Sequence, residues 1–385
     1  MTVEPLTPQL AEVWDRLLRS SDDGWVTSLS DWQTSISNLD ADSLEDKSFL
    51  IFHDGAAVAG FPLQHNPWRR CLFSTAIGYG GPFLSNNLGR SFQKKVLDFI
   101  FDHAREIGRE LGCERLEVSI CPVTQRSLGN KHSINPLVFH GFDDTSTHAR
   151  VLDLYLPEDQ LWGGLSPDAR QHIKKAKAAG YTVEKVSWDD HLDSYQTIHE
   201  CTYSRTGAIP FKKEFHMAIQ KVSRQGGAHL YAGFSPGHEP VAYNNTAVFG
   251  GSSRYWTGCC QSEQLKSGIN YLLLWTSITS TKQAMGHFYE VGEIFPNERD
   301  RKLTGISVFK SKFGGEVRRS FCGKLELEDT VNREQSGREI LGQMRMLAVK
   351  LYKRSVLRYL KLPEIPSATL LKKPGRHPIL DFLRI

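Results

Sequence analysis

The pattern of apolar and polar residues predicts one series of elements in the first 155 residues of the chain. It begins with an amphipathic helix over 10–18, and two apolar runs then flank an Asp54-Gly55 pair, a strong signal for a β-hairpin. A strand ending in a glycine-rich turn follows, and apolar residues then recur at helical spacing over 89–112. The series ends in a buried strand that stops at Pro122.

A second series with the same order of elements occupies the middle of the chain. Its first helix has Ser166 at the N-cap, Pro167 in its first turn and Gly180 just past its end. A strand, two helices, three antiparallel strands over 228–260, another helix and a strand over 287–294 follow. Because each half combines helices with an antiparallel meander, the pattern predicts an α+β fold built twice, without repeated sequence.

The segment TGISVFKSKFGGE, residues 304–316, alternates apolar and polar residues and therefore predicts a half-buried strand. In a strand, Phe309 and Lys310 point to opposite faces, and Lys312 shares the face of Lys310. Two interpretations follow from this placement. Either Lys310 is a cation directed into a cleft, or both lysines belong to a solvated face.

The length of 385 residues exceeds that of one average domain and favours two domains followed by a tail. We predict an N-terminal domain over 1–155, a C-terminal domain over 156–330, and a basic helix with an extended tail over 331–385. Apolar spacing indicates the helix over 333–361, and Pro363 ends it. With 40% apolar and 23% charged residues, the composition is that of an ordinary globular protein.

The net charge of +4 is concentrated near the C-terminal end of the chain. Residues 350–385 contain nine Lys and Arg and two acidic residues, so the rest of the chain is slightly acidic. A basic segment interspersed with leucine and valine meets anionic lipid headgroups, RNA phosphates or solvent, and these three alternatives stay open. We expect a cytoplasmic protein, with peripheral contact at the inner face of the membrane through this tail as one of the alternatives.

Several classes of protein are disfavoured by what the chain lacks. Its first residues carry no basic segment followed by an apolar stretch, and no apolar run reaches the ~18 residues of a membrane span. The seven cysteines are scattered and never spaced as CxxC, which argues against a disulfide framework or a zinc site. There is no HxxxH pair, GxxxxGK[ST] loop or GxGxxG fingerprint. We therefore expect no metal and no tightly bound cofactor.

Five stretches of the second half occur in the order found in one family of acyltransferases. These are LSPDARQHIKKAKAAGYTVE, CTYSRTG, RYWTGCC, YEVGEI and GISVFKSKFGGE, and IGYGGPFL extends the likeness more weakly into the first half. Together they resemble the FemABX family, whose members carry two GNAT-type acyltransferase domains in tandem. The resemblance implies transfer of an acyl or aminoacyl group, from acyl-coenzyme A or aminoacyl-tRNA as co-substrate, to an amine. The expected acceptor is a cell-envelope or polysaccharide precursor such as a nucleotide- or lipid-linked saccharide.

Acyl transfer to an amine passes through a tetrahedral oxyanion, which a cation stabilises where the charge develops. Phe309-Lys310 match the family's Phe-Lys pair, and the resemblance implies that Lys310 stabilises this intermediate while Phe309 packs beneath it. Arg205 matches an arginine that the family places against a diphosphate, although a surface salt bridge is the alternative. Tyr255 matches an aromatic position near the family's cleft, although core packing is the alternative.

Further candidates come from one helix face and from the start of a later helix. Arg170, Lys174 and Lys177 share a helix face that either binds tRNA phosphates or is solvated. Gly268 and Asn270 occupy the place where coenzyme-A-binding GNATs carry an Arg/Gln-x-x-Gly-x-Gly/Ala turn, and Asn270 stands where that turn has a small residue. We include Asn270 among the candidate substrate-binding residues, although this departure argues against a standard coenzyme A site.

Glu290 and Glu293 flank the end of a predicted strand and are candidate proton acceptors, although a substrate-assisted reaction needs no protein base. His199, His216 and His229 are expected to be structural. The leading hypothesis is an N-acyltransferase that acts without metal or covalent enzyme intermediate, with its acceptor bound between the domains. The alternative is a pair of GNAT domains that has lost catalysis and serves as a binding or scaffold module.

Overall fold

A computed structural model describes residues 1–37, 39, 44–75, 77–130, 134–296 and 300–327 of the chain. The predicted helix over 333–361 and the basic tail lie outside the described residues. The described part is an α+β fold, as predicted, and helices and strands alternate in both halves.

The N-terminal half contains four α-helices and ten strands within the described ranges. They are β1 (Thr2–Pro5), α1 (Ala11–Ser20), α2 (Ser30–Ser37), β2 (Glu45–Asp46), β3 (Phe49–His53), β4 (Ala56–Phe61), β5 (Gln64–Asn66), β6 (Cys71–Phe73), β7 (Phe83–Leu84), α3 (Arg90–Glu110), β8 (Arg115–Ser119), α4 (Gln125–Gly129), β9 (Asp143–Asp144) and β10 (Thr147–Asp153). The predicted hairpin joins β3 to β4. Asp54 and Gly55 have φ of 51° and 79°, the conformation that makes Asp-Gly a favoured pair in such turns.

The second half begins with the helices around the predicted cap and ends with two strands. Its elements are α5 (Glu158–Gly164), α6 (Pro167–Ala178), β11 (Thr182–Val186), α7 (Trp188–Thr206), α8 (Lys213–Ser223), β12 (Ala228–Phe234), β13 (Pro240–Phe249), β14 (Ser252–Cys260), α9 (Ile269–Gln283), β15 (Phe288–Ile294), α10 (Arg301–Ser311), β16 (Glu316–Ser320) and β17 (Cys322–Glu326). Helix α6 starts as predicted, because the Ser166 hydroxyl accepts a hydrogen bond from the Ala169 N–H at 3.1 Å.

The described strands form three sheets. Their strand orders are β11-β12-β13-β14-β15-β10-β16, β2-β5-β6-β8-β17-β9 and β1-β3-β4-β7. Most neighbouring strands are antiparallel, but β6 pairs in parallel with β8, and β14 pairs in parallel with β15. Parallel strands need a crossover connection, and here each crossover contains one long helix, α3 in the first half and α9 in the second.

Two strands cross between the halves. Strand β10 lies between β15 and β16 in the sheet of the second half, and β17 lies between β8 and β9 in a sheet of the first half. The division of the chain at residue 155 therefore stays a prediction about domains. What the structure adds is that hydrogen-bonded strands join the two halves to each other.

A shared apolar core also joins the halves. Trp32 of α2 lies with its ring centroid 5.8 Å from that of Phe215 in α8 and 4.8 Å from that of Trp256 in β14. Trp14 and Phe249 belong to the same buried cluster. Because rings from the two halves pack against each other, side chains of the first half are held in fixed positions next to the central strands of the second.

The prediction of a strand over 304–316 is wrong, because this segment lies in α10 and in the turn that follows it. The Asp300 carboxylate caps the helix by accepting a hydrogen bond from the Lys302 N–H at 2.7 Å. Phe309 and Phe313, which are four residues apart, pack with ring centroids separated by 5.4 Å, as neighbours on a helix do.

The Gly314-Gly315 pair ends this segment and leads into β16. The two residues have φ of 78° and 77°, a conformation that side chains with a Cβ rarely adopt. A Cβ on Gly315 would also lie 2.5 Å from the carbonyl oxygen of Val151 in β10. The glycines therefore bring the end of α10 close to the strand beside β15, which sets the position of the preceding lysine.

Candidate active site

Strands β14 and β15 pair at three positions and then separate. The pairing joins Ser252–Arg254 to Phe288–Glu290, whereas β14 continues to Cys260 and β15 continues to Ile294. Past Glu290, β15 stays paired with β10 on its other side. The sheet therefore opens in its middle, between the second part of β14 and the second part of β15.

The side chain of Lys310 reaches this opening from α10. Its ammonium donates a hydrogen bond to the carbonyl oxygen of Glu293 at 2.8 Å. A Cβ on Gly292 would lie 2.8 Å from the same nitrogen, so the glycine leaves the room that the ammonium occupies. Lys310 is thus directed inward, toward the region between the halves. An ammonium has three N–H donors, and two of them are not used by the contact with Glu293.

A buried cluster of charges surrounds the point where the strands separate. Glu290, the last paired residue of β15, is 0% exposed, and its Oε1 accepts a hydrogen bond from the Tyr79 hydroxyl at 2.9 Å. Arg254 Nε lies 3.3 Å from the same oxygen, and the guanidinium carbon lies 4.1 Å from the centre of the Tyr79 ring. Tyr79 comes from the first half, so both halves build this cluster.

The pKa of Lys310 reflects this environment. It is lowered to about 8, by burial first and by the charge of Arg254 second, while the carboxylates of Glu293 and Glu290 oppose the change. Burial also raises the pKa of Glu290, against the effects of Arg254 and of the hydrogen bond from Tyr79. The pKa of Glu293 is raised for the same reason, against the hydrogen bond from Thr147. Shifts of this kind are common at functional sites, although structural ion pairs produce them too.

Lys312 behaves differently from Lys310. Its ammonium lies 2.7 Å from Asp168 Oδ2 and donates to the hydroxyl of Tyr271 at 2.9 Å. In a helix, residues two apart point to nearly opposite sides, so the expected common face for the two lysines is wrong. Phe309 packs against Tyr271, the partner of Lys312, and the two ring centroids are 5.1 Å apart.

Arg205 and Asn270 lie at the far end of β14. The guanidinium of Arg205, in the last turn of α7, donates to the carbonyl oxygen of Cys260 at 3.2 Å and to the Ser262 hydroxyl at 3.0 Å. Asn270, in the first turn of α9, hydrogen-bonds the thiol of Cys260. The two candidates therefore meet around one residue, at the rim of the opening between the strands.

Tyr255 lies beside Arg254 in β14, at the start of the opening. It is partly buried against the core of the second half, and burial raises the pKa of its hydroxyl. A Cβ on Gly258 would lie 2.2 Å from that hydroxyl oxygen, so the glycine leaves space for the tyrosine. This placement fits both alternatives, a cleft residue and a core residue.

Arg170 is placed away from the opening. Its Nη1 donates to the carbonyl oxygens of Leu165 at 2.7 Å and of Gly163 at 3.0 Å, which are free at the end of α5. The guanidinium thus stabilises the end of a helix, while Lys174 and Lys177 of the same helix are exposed. The sequence-predicted residues near the opening are therefore Lys310 and Tyr255, with Arg205 and Asn270 at its rim, whereas Phe309 packs against Tyr271 and Phe313.

Tyr79 and Arg254 are two residues of the site that were not predicted from the sequence. Tyr79 lies within IGYGGPFL, the stretch that carried the weak likeness in the first half, and Arg254 directly precedes Tyr255. Arg254 could have been predicted, because a charged residue inside a predicted strand, next to the candidate Tyr255, is unusual unless it has a partner. Tyr79 is brought to Glu290 by the packing of the two halves over a separation of 211 residues, and no local pattern indicates that contact.

The histidines expected to be structural lie in packed surroundings. His199 Nε2 accepts a hydrogen bond from the Phe211 N–H at 3.0 Å, and His216 Nδ1 lies 2.6 Å from Gln196 Oε1. Burial lowers the pKa of His199 to about 4 and that of His216 to about 3. Burial likewise lowers the pKa of His229 to about 4.

The run GFSPG at 233–237 matches the GxSxG pattern of hydrolases, in which a serine nucleophile sits on a turn between a strand and a helix. Here the run forms the turn between β12 and β13, two antiparallel strands. The Ser235 hydroxyl accepts a hydrogen bond from the Glu239 N–H within that turn, at 3.3 Å. Ser235 is therefore a turn residue.

The described residues contain no group of three or more His, Cys, Asp or Glu side chains arranged to hold a metal ion. Among the helices that the structure describes, none is both long and apolar enough to cross a membrane.

The fold defined by these elements is that of tandem GNAT proteins. A tandem GNAT protein from the clavulanic acid biosynthesis pathway superposes with a TM-score of 0.50 and 11% identity, covering 86% of this chain and 99% of its own. FemX superposes with a TM-score of 0.61 and 13% identity, covering 85% of this chain and 97% of its own. The resemblance to FemABX-type proteins is thus confirmed for the fold.

A third similar structure is the C-terminal domain of a putative lysylphosphatidylglycerol synthetase from Agrobacterium fabrum. It has a TM-score of 0.55 and 14% identity, and the match covers 91% of this chain and 96% of that domain. No protein-family model matches the sequence, and no curated protein matches it. The likeness to known proteins is therefore one of three-dimensional structure.

Proposed function

We propose that this protein is an N-acyltransferase that moves an acyl or aminoacyl group onto an amine, with Lys310 as the group that stabilises the oxyanion. The observation that carries the proposal is the position of the Lys310 ammonium, which lies inward at the point where β14 and β15 separate. The fold shared with FemX supports the class of reaction. A protein that served only for binding would have no need of a lysine ammonium held inside the sheet at some cost in desolvation.

The reaction follows from the chemistry of acyl transfer. The amine nitrogen attacks the acyl carbonyl carbon, a C–N bond forms, and the carbonyl oxygen takes up negative charge. The ammonium of Lys310 stabilises that charge, and it does so more strongly in a buried site than in water. Collapse breaks the C–O bond of an aminoacyl ester or the C–S bond of a thioester. The leaving hydroxyl or thiol takes the proton that the amine loses, so the step needs no protein base.

The acceptor is proposed to be an amine on a cell-envelope precursor, such as a nucleotide- or lipid-linked saccharide. Arg205 supports a ligand that carries phosphate, because its guanidinium is held at the rim of the opening by Cys260 and Ser262. The donor is aminoacyl-tRNA or acyl-coenzyme A. The exposed Lys174 and Lys177 are available to tRNA phosphates.

The substitution Lys310→Met tests the proposal. It should lower the turnover by a factor of about 100 to 1,000, the loss typical for removal of one oxyanion donor, while the circular dichroism spectrum stays unchanged. Lys312→Met is the matched control, because Lys312 lies two residues away and pairs with Asp168 at the surface. Equal turnover of the Lys310 variant and the wild type would remove Lys310 from the mechanism.

The donor is tested by following transfer of a radioactive label from aminoacyl-tRNA and from acyl-coenzyme A to an amino-sugar nucleotide. With a tRNA donor, KM should rise steeply with salt concentration, and Lys174→Ala and Lys177→Ala should reduce that dependence. With a coenzyme A donor, saturation should depend little on salt. Transfer from neither donor, with a folded protein, would contradict the proposed activity.

A further inference from the structure

The first half contains a cavity of about 450 Å³ that the proposed chemistry does not use. It lies between α3, α4 and the end of β8, and most of its wall is apolar. The apolar wall includes Trp25, Leu84, Leu97, Phe101, Ile120 and Leu137. Its volume is within the range of about 300 to 1,000 Å³ typical of small-molecule sites, and apolar walls with a few polar groups are their usual composition.

The polar groups of the cavity include an ion pair. Asp23 Oδ1 accepts from Arg126 Nε at 2.6 Å, and the two side chains are 13% and 43% exposed. Gln93 also lines the cavity, and its Oε1 accepts from Arg126 Nη1 at 3.5 Å. Because the guanidinium of Arg126 is half exposed, the ion pair lies where the cavity approaches the surface.

The surface next to the cavity is apolar as well. Pro136 and Leu137 line the cavity, and the neighbouring Ile134, Val138 and Phe139 are exposed to 52%, 46% and 71%. Exposed apolar side chains beside an apolar cavity are typical of an entrance for a hydrophobic ligand. A sugar nucleotide would find few hydrogen-bonding partners on this wall.

The inner wall of the cavity lies against the candidate active site. Cys121 lines the cavity, and burial raises the pKa of its thiol, with smaller effects from the charges of Glu290 and Arg254. Gly80 also lines it and directly follows Tyr79, whose hydroxyl binds Glu290. A ligand in the cavity would therefore lie next to the buried charges that surround Lys310.

We propose that this cavity binds the hydrocarbon chain of an amphipathic substrate, with the reacting polar end of the substrate toward the inner wall, at Gly80 and Cys121. The proposal rests on the proposed transferase function and names the class of substrate: either the donor is a long-chain acyl thioester, or the acceptor carries a hydrocarbon chain. A methylene is similar in size to a water molecule, whose share of liquid volume is about 30 Å³. The cavity therefore accommodates a chain on the order of a dozen carbons.

Binding is tested with saturated fatty acids of increasing length, by isothermal titration calorimetry on the full-length protein. The affinity should rise about fourfold with each methylene, as expected for burial of apolar groups, and should level off when the cavity is full. Leu97→Trp fills the cavity from α3 and should weaken binding at least tenfold. Lys95→Trp puts the same side chain on an exposed position of the same helix and should leave binding unchanged.

Binding that is absent in the wild type, or equally strong in the two tryptophan variants, would overturn the proposal. A photoreactive fatty acid gives a second test that needs no variant, because labelling of the α3 and α4 segments supports the cavity and labelling confined to other segments contradicts it. Lys310→Met should bind the chain as the wild type does, so the loss of transferase activity and the loss of chain binding can be told apart. Comparison of palmitoyl-coenzyme A with lysophosphatidylethanolamine, which carries a primary amine, then shows whether the chain belongs to the donor or to the acceptor.

Discussion

The two parallel strand pairs that the structure describes, β14/β15 and β6/β8, lie next to different environments, one charged and one apolar. In the second half, the point where β14 and β15 separate is surrounded by charged side chains, Lys310, Glu290 and Arg254. In the first half, the region beyond β8 is an apolar cavity of about 450 Å³. The same order of strand, helix and strand thus supports two tasks, which we interpret as holding a charge for chemistry and holding a substrate.

The ion pairs of the two regions differ in the same way. Arg254 and Glu290 are 12% and 0% exposed, whereas Arg126 and Asp23 are 43% and 13% exposed. When one partner of a fully buried ion pair is removed, the other charge stays buried without compensation, and stability falls strongly. When one member of the pair is half exposed, water stabilises the remaining charge and the loss is smaller. Substitutions in the second half should therefore have larger effects than substitutions in the first.

The largest effect is expected for Glu290→Gln. The substitution leaves Arg254 buried without its counter-charge, and such a loss costs about 3–5 kcal/mol of the free energy of unfolding. It also removes a carboxylate that keeps Lys310 protonated, so turnover at neutral pH should fall as well. Urea denaturation followed by fluorescence measures the change in stability.

The double variant Arg254→Met, Glu290→Leu is the control for this prediction. Because it removes both charges and leaves apolar side chains of similar size, it should be more stable than Glu290→Gln alone. A double variant less stable than the single one would show that the two residues contribute independently and not as a pair.

An intermediate effect is expected for Gly292→Ala. Gly292 has a φ of 111°, and an added Cβ would lie 2.8 Å from the Lys310 nitrogen. The substitution should destabilise the protein by at least ~1 kcal/mol and lower turnover by displacing the ammonium. Thermal unfolding and steady-state kinetics measure the two effects.

Gly305→Ala provides the contrast, since Gly305 lies inside α10 with open space around its Cα. Alanine favours a helix interior over glycine by about 0.5–1 kcal/mol, so this variant should be slightly more stable and equally active. Equal behaviour of the two glycine variants would contradict the assigned role of Gly292.

The smallest effect is expected for Arg126→Gln. The guanidinium is 43% exposed, so solvent already screens the charge of this pair. The loss of stability should be about 1 kcal/mol, measured by urea denaturation at neutral pH. If Arg126→Gln lowered the free energy of unfolding as much as Glu290→Gln does, the expected difference between the exposed and the buried ion pair would be contradicted.

Most helices and the hairpin could be predicted from the sequence, because the residues that signal them lie within or next to these elements. Ser166, Gly180 and the Asp54-Gly55 pair act within a few residues of themselves, and the elements that they delimit are present. The wrong prediction of a strand over 304–316 also has a local cause. Lys310 and Lys312 alternate with Phe309 and Phe313, as polar and apolar residues do in a strand, but the two phenylalanines are also four residues apart, as on one face of a helix.

The candidate site was predictable in its central residue and less so in its surroundings. The Phe309-Lys310 pair was found from the order of motifs, which does not depend on the conformation of the segment. Tyr79 reaches Glu290 because the halves share a core, and the cavity of the first half results from packing among α3, α4 and β8. Contacts between distant segments have no signature in a single sequence.

The charge of Lys310 is tested most directly by the pH dependence of turnover. The surrounding charged groups are Arg254, Glu290 and Glu293, and the pKa of Lys310 is lowered to about 8, so its ammonium is charged below that pH and neutral above it. If the cation stabilises the oxyanion, kcat should fall as the pH rises through about 8, and Lys310→Met should lack this fall. A kcat that rises through the same range would mean that neutral Lys310 acts as a base, and a fall retained in Lys310→Met would assign the titration to another group.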